Sequence, residues 1–176
     1  MAERISIFDT TLRDGAQTPW IGFDFWDRLV LAKALAYVGV DVIEIGFGAN
    51  NAEFQMLRQI ARYAGSKEHS ANGNVPVVCS LARALSEDVL LAYKSLEYAD
   101  PDKRRIHVFI GTSPELMEYS HKKREERVLG MIRNSVSYAR ELVGDKGEVE
   151  YSSEDALRTD LEFLIATCQT AVDCGA

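Results

Sequence analysis

Strand-like and helix-like stretches alternate along the whole chain, and that alternation narrows the possible folds more than any other feature. Val40 to Gly46 is a mostly apolar run rich in β-branched residues, the kind of strand that is covered on both faces. Further strands are expected at Ile5, Ile7 and Phe8, at Val75 to Cys79, at Ile106 to Ile110 and at Glu148 to Tyr151. Between them apolar residues recur at helical spacing, as in Leu29, Ala32, Leu35 and Ala36, or Leu57, Ile60, Ala61 and Ala64. A third helix turns Val89, Leu90, Tyr93 and Leu96 inward, a long fourth runs from about Glu125 to Val143, and a fifth ends near Gly175. Five such units at a spacing of about 35 residues make the βα period of a parallel sheet with right-handed crossovers. The pattern alone admits both an open doubly wound sheet and a barrel.

Local signals mark the helix ends. Asp24 is an expected N-cap with Asp27 at the third helical position, Gly39 stops that helix, Asn50 or Asn51 caps the second and Ser86 the third. Gly65 to Asn74 has no period and reads as a surface loop with His69 exposed. No linker or shift in composition interrupts residues 1–176, which read as one domain.

The 176 residues are 47% apolar and 27% charged, as in a soluble domain. A net charge of −7 argues against nucleic acid, which wants a concentrated basic face. The one basic cluster, His121 to Arg124, runs straight into Glu125 and Glu126 and reads as a solvated helix start. No apolar run reaches the roughly 20 residues that span a bilayer, and Met1 to Arg4 lacks the apolar core of a signal peptide. Cys79, Cys168 and Cys174 have no metal-type spacing, so they read as reduced thiols in a cytoplasmic protein.

The stretch Asp9-Thr10-Thr11-Leu12-Arg13-Asp14-Gly15-Ala16-Gln17 follows the first strand and places charges where that strand should end. An adjacent Arg and Asp suit a loop that holds a hard divalent cation on the carboxylate and a substrate oxyanion on the guanidinium; a solvated polar turn is the alternative. The whole nonapeptide resembles the first-strand signature of the DRE-type TIM-barrel metallolyases, within them the 2-isopropylmalate synthase and homocitrate synthase group. Also similar are Asp41 to Phe47, Cys79 to Ala84, Ile106 to Ser113 and Glu150 to Asp160, in family order. The absence of a Gly-x-Gly-x-x-Gly turn weakens a dinucleotide fold, and the resemblance implies a TIM (β/α)8 barrel. About the first five βα units would be present, so residues 1–176 would be the amino-terminal portion of one catalytic barrel, left with two unpaired sheet edges.

The resemblance implies an acyltransferase that condenses acetyl-CoA with 3-methyl-2-oxobutanoate to give 2-isopropylmalate in leucine biosynthesis. It implies a divalent metal ion (Mg, Mn or Zn) with Asp14 as a ligand, and acetyl-CoA as co-substrate. Arg13, Glu44 and Glu154 are similar to catalytic groups. Arg13, Gln17, Leu81, Arg83, Thr112 and Ser152 are similar to substrate-binding ones. Asp9 is read as a loop support, Arg83 as facing the oxo acid or bracing its strand, His107 as a satisfied core histidine and His121 as a surface residue. Leu81 favours a branched aliphatic tail and the isopropylmalate reaction over homocitrate synthesis, with citramalate synthesis and a lyase acting in reverse as the open alternatives.

The family's His-x-His pair has no counterpart among His69, His107 and His121. Alone, this segment is therefore expected to hold metal weakly and to be inactive. Its expected partners are small-molecule substrates, with a homo-oligomer or the chain carrying the remaining strands completing the barrel. The reading of another class is a non-catalytic half-barrel that serves assembly.

Overall fold

The computed structural model describes residues 4–48 and 50–176, so the signal-peptide reading of Met1 to Glu3 lies outside the described residues. In chain order the main elements are β1 (Phe8–Asp9), α1 (Phe25–Val38), β2 (Val42–Phe47), α2 (Asn51–Ala64) and β3 (Val77–Arg83). There follow α3 (Ser86–Ser95), β4 (Arg104–Gly111), α4 (Glu125–Val143), β5 (Glu148–Glu154) and α5 (Leu161–Asp173). All strand pairs are parallel and the sheet order is β1-β2-β3-β4-β5. Each strand thus joins the same side of its predecessor, without the reversal that defines a doubly wound sheet. Successive helices pack side by side, α1 on α2 through α4 on α5. The sheet therefore curls into a half-barrel of TIM type, with helices outside and a concave face open.

Helix ends follow local chemistry closely. Asp24 accepts from the Asp27 N–H at 2.9 Å while Asp27 accepts from the Asp24 N–H at 3.1 Å, a reciprocal capping box. Gly39, at φ 90°, turns α1 off in the left-handed region, and Asn50 caps α2 through the Glu53 N–H. Ser86 is a correction. It is the first residue of α3, its predecessor Leu85 holds the cap position, and no side chain caps that helix.

Strand limits differ more from expectation, because neighbours decide how far a strand pairs. β1 is only two residues long, and Ile5 and Ile7 stay exposed at the sheet edge. β2 continues past Glu44 to Phe47 through a register shift at Glu44/Gly46. Gly46 has φ 145°, and a Cβ there would meet Leu57 Cδ2 at 2.7 Å, so only glycine lets α2 pack so closely on the strand. β3 and β5 run through Leu81 and Ser152, which therefore lie within strands rather than after them.

Alternation sorts the side chains. Ile43, Ile45, Val78, Ile106, Val108 and Val149 face the helices and join one apolar core with Leu57, Ile60, Val89, Ile132 and Val136. Their neighbours Glu44, Cys79, Arg105, His107, Glu150 and Ser152 face the concave side. Arg105 is held there by Glu148 at 2.7 Å and Glu150 at 2.9 Å and lies over the Phe8 ring. A charged inner layer survives burial because each charge has a partner.

Candidate active site

After β1 the backbone wraps around one carbonyl: Thr10 O accepts from the N–H groups of Arg13, Asp14 and Gly15 at 3.1, 2.8 and 3.2 Å. Asp9 accepts from the Thr11 N–H and hydroxyl at 3.0 and 3.1 Å, the loop support expected of it. This knot carries Arg13 and Asp14 onto the rim at the carboxyl ends of the strands. Arg13 Nη1 donates to Asp14 Oδ1 at 2.8 Å, and Nε donates to Glu44 Oε2 at 2.6 Å.

Glu44 has no exposed surface. Its second oxygen, Oε1, lies 2.7 Å from His107 Nδ1, and His107 Nε2 lies 2.6 Å from Ser152 Oγ. Five side chains from the β1 loop, β2, β4 and β5 thus form one chain: Asp14, Arg13, Glu44, His107, Ser152. Burial opposes ionisation of Glu44, but hydrogen bonds from His107 and Arg13 outweigh it, and its carboxyl falls below the ordinary glutamate range.

Above this chain lies an open hollow of about 790 Å³. Arg13, Asp14, Gln17, Leu81, Ser152 and Glu154 line it as a group, with Glu44 beneath Arg13. Leu12, Phe47, Leu81 and Phe109 make part of its wall apolar. Two expected site residues lie elsewhere. Arg83 grips Asp88 at the start of α3 through two bonds, at 2.6 and 3.2 Å, and does not line the hollow. Thr112 is buried beyond β4, where its hydroxyl meets Thr159 Oγ1 at 2.7 Å.

His107 is 5% exposed and fully hydrogen-bonded, as a core histidine would be, yet it also lines the hollow. Its role as a link was missed from sequence, although the spacing of Arg105 and His107 between Ile106 and Val108 already put both on the face opposite the core. His121 is half-buried, with Nε2 2.8 Å from Gly111 O, and His69 is half-buried with its ring edge-on to Tyr63, so neither is the simple surface residue expected.

Two sets of groups bear on a metal. Ligand atoms of Glu44, Cys79 and His107 lie within 4.8 Å of one another. Both Glu44 oxygens and both His107 nitrogens already hold hydrogen bonds, and burial, with the charges of Glu44 and Glu150, pushes the Cys79 thiol well above its ordinary value. That trio is therefore arranged for hydrogen bonding, and a cation would have to displace partners and deprotonate a buried thiol. Asp14 fits a hard cation better: its side chain is 63% exposed, lines the hollow and has only Oδ1 engaged by Arg13 among the described residues.

Fold and site together define a βα-barrel protein whose acid–base groups gather at the carboxyl ends of the strands. Residues 4–176 match the HMGL-like family model, and the chain belongs to that family. It is 44% identical to the 2-isopropylmalate synthase of Acidimicrobium ferrooxidans over 99% of this chain and 31% of that protein. Similar matches are 42% to the 2-isopropylmalate synthase of Aquifex aeolicus and 44% to that of Staphylococcus saprophyticus, over 31% and 32% of their lengths. The chain thus spans about a third of the curated relatives it matches. The HMG-CoA lyase structure of Bacillus subtilis matches with a TM-score of 0.43 and 13% identity, over 97% of this chain and 75% of that one.

Proposed function

We propose that the chain is the amino-terminal part of the catalytic barrel of a 2-isopropylmalate synthase, joining the acetyl group of acetyl-CoA to 3-methyl-2-oxobutanoate. The observation that carries this reading is Arg13, fixed by Glu44 and Asp14 at the mouth of a hollow that also holds Glu154. Addition to a ketone puts negative charge on its oxygen, and a guanidinium already anchored at Nε and Nη1 stabilises that charge without reorganising. Asp14 would hold a divalent ion, which when bound polarises the oxo acid. Glu154, exposed on the rim, is the group placed to carry a proton to or from the hollow. The apolar wall at Leu81, Phe47 and Phe109 suits a branched tail.

One sharp test is the full-length protein with a panel of 2-oxo acids, following free CoA. Release with 3-methyl-2-oxobutanoate supports the reading; release with 2-oxoglutarate alone overturns it in favour of homocitrate synthesis. Three free cysteines accord with a reducing cytoplasm, and no described helix is long and apolar enough to cross a membrane.

A second reading, an assembly module, draws on the outer helices. Trp26, Val30 and Tyr37 of α1, and Leu161, Ile165 and Val172 of α5, are exposed, whereas α2 and α4 expose no large apolar side chain. We propose that further βα units, in the same chain or a partner, cover both flanks. Sedimentation of the 176-residue segment tests it: self-association is expected, and a stable monomer would contradict it.

A further inference from the structure

The synthase reading draws on the rim end of the hydrogen-bonded chain and gives its far end no step. There Ser152 Oγ lies 2.6 Å from His107 Nε2, and His107 Nδ1 lies 2.7 Å from Glu44 Oε1. Glu44 already accepts from Arg13, so as a carboxylate it has no proton to give, and Nδ1 is the donor in the second bond. In the neutral form of that tautomer Nε2 carries a bare lone pair, to which the serine hydroxyl 2.6 Å away donates. A hydroxyl, a base and an orienting carboxylate stand in working order. Ser152 and His107 both line the hollow, so an acyl group can reach the oxygen. Arg13 lines it too, and among the described residues its Nη2 has no hydrogen-bond partner, leaving N–H groups for a developing oxyanion.

We propose that Ser152 is a nucleophile activated by His107 and Glu44, and that the protein cleaves short acyl thioesters and activated esters through an acyl-Ser152 intermediate. Ser152 Oγ bonds to the carbonyl carbon as its proton passes to His107 Nε2. The C–S bond then breaks, and the sulfur leaves as a thiol with that proton. Water adds to the acyl-serine ester and gives a proton to Nε2; the carboxylic acid departs as Ser152 recovers its hydrogen.

This activity needs no 2-oxo acid and does not rest on the synthase reading. The test is the full-length protein with nitrophenyl acetate and with the acetyl thioester of N-acetylcysteamine, quenched during turnover and mapped by peptide mass. An acetyl group on the peptide holding Ser152 is expected, with cleavage falling about 100-fold or more in Ser152→Ala and in His107→Gln. Ser152→Cys should trap the acetyl group as a thioester on the same peptide. Acetylation confined to lysines, or a Ser152→Ala protein that cleaves both probes at the parent rate, would overturn the proposal. Condensation with 2-oxo acids, assayed alongside, stands or falls separately.

Discussion

Ile106 and His107 are adjacent on β4 and both are buried, yet they answer to different physics. Ile106 points at α3 and α4, where only its volume and apolar surface matter. His107 points the other way and holds Glu44 and Ser152 at bonding distance. The same division runs across the sheet: Ile43 and Ile45 flank Glu44, and Val149 stands between Glu148 and Glu150. The convex face supplies stability through packing, and the concave face supplies placed charges that only their partners make tolerable. Substitutions on the two faces should therefore fail in different ways.

The largest effect is expected at Glu44. Glu44→Ala leaves Arg13 without its buried partner and should cost about 3–5 kcal/mol in denaturant unfolding, with loss of activity even where the chain stays folded. Ile106→Ala removes only packing. It should cost about 2–5 kcal/mol and leave the turnover of the folded fraction close to the parent value. If Ile106→Ala abolished turnover in folded protein, the separation of the two faces would be wrong.

Acid should reveal the concave face selectively. Because the Glu44 carboxyl is depressed in the fold, its ionisation contributes stability that is present above the unfolded value and lost as pH falls through the lower folded one. The stability gap between the parent and Glu44→Gln should therefore shrink as pH falls below about 4. A gap that widens on acidification would contradict the assignment. The smallest effect belongs to Arg83, whose side chain is 56% exposed and paired with Asp88 outside the hollow. Arg83→Ala should change stability by about 0–1 kcal/mol and leave substrate affinity unchanged, as a binding assay on the oxo acid would check.

What could be read from sequence follows the range of the forces involved. The N-cap at Asp24 and the Gly39 stop are set within one turn of chain and the span of α4 by its own apolar period, and they appear where expected. Strand limits are less legible, because Ser80, Ser152 and Ser153 look like turn residues until a parallel neighbour pairs with them. Arg13, Asp14, Gln17, Leu81, Ser152 and Glu154 gather around one hollow because each lies in the carboxyl-terminal half of a strand or in the loop after it, even though Leu81 and Ser152 are still inside their strands. The bond between Glu44 and His107 joins residues 63 apart, and nothing local announces it. Arg83 and Thr112 sat in motifs that match the family, yet a nearby acid and a nearby hydroxyl satisfy them away from the hollow.

The linkage of Arg13 to Ser152 through Glu44 and His107 is best tested by the ring nitrogens of His107, observed by ¹⁵N NMR in the folded protein. A base at Ser152 oriented by Glu44 calls for hydrogen on Nδ1 and a bare Nε2, with both resonances moving in Glu44→Gln. Hydrogen on Nε2, or a spectrum that Glu44→Gln leaves unchanged, would contradict it.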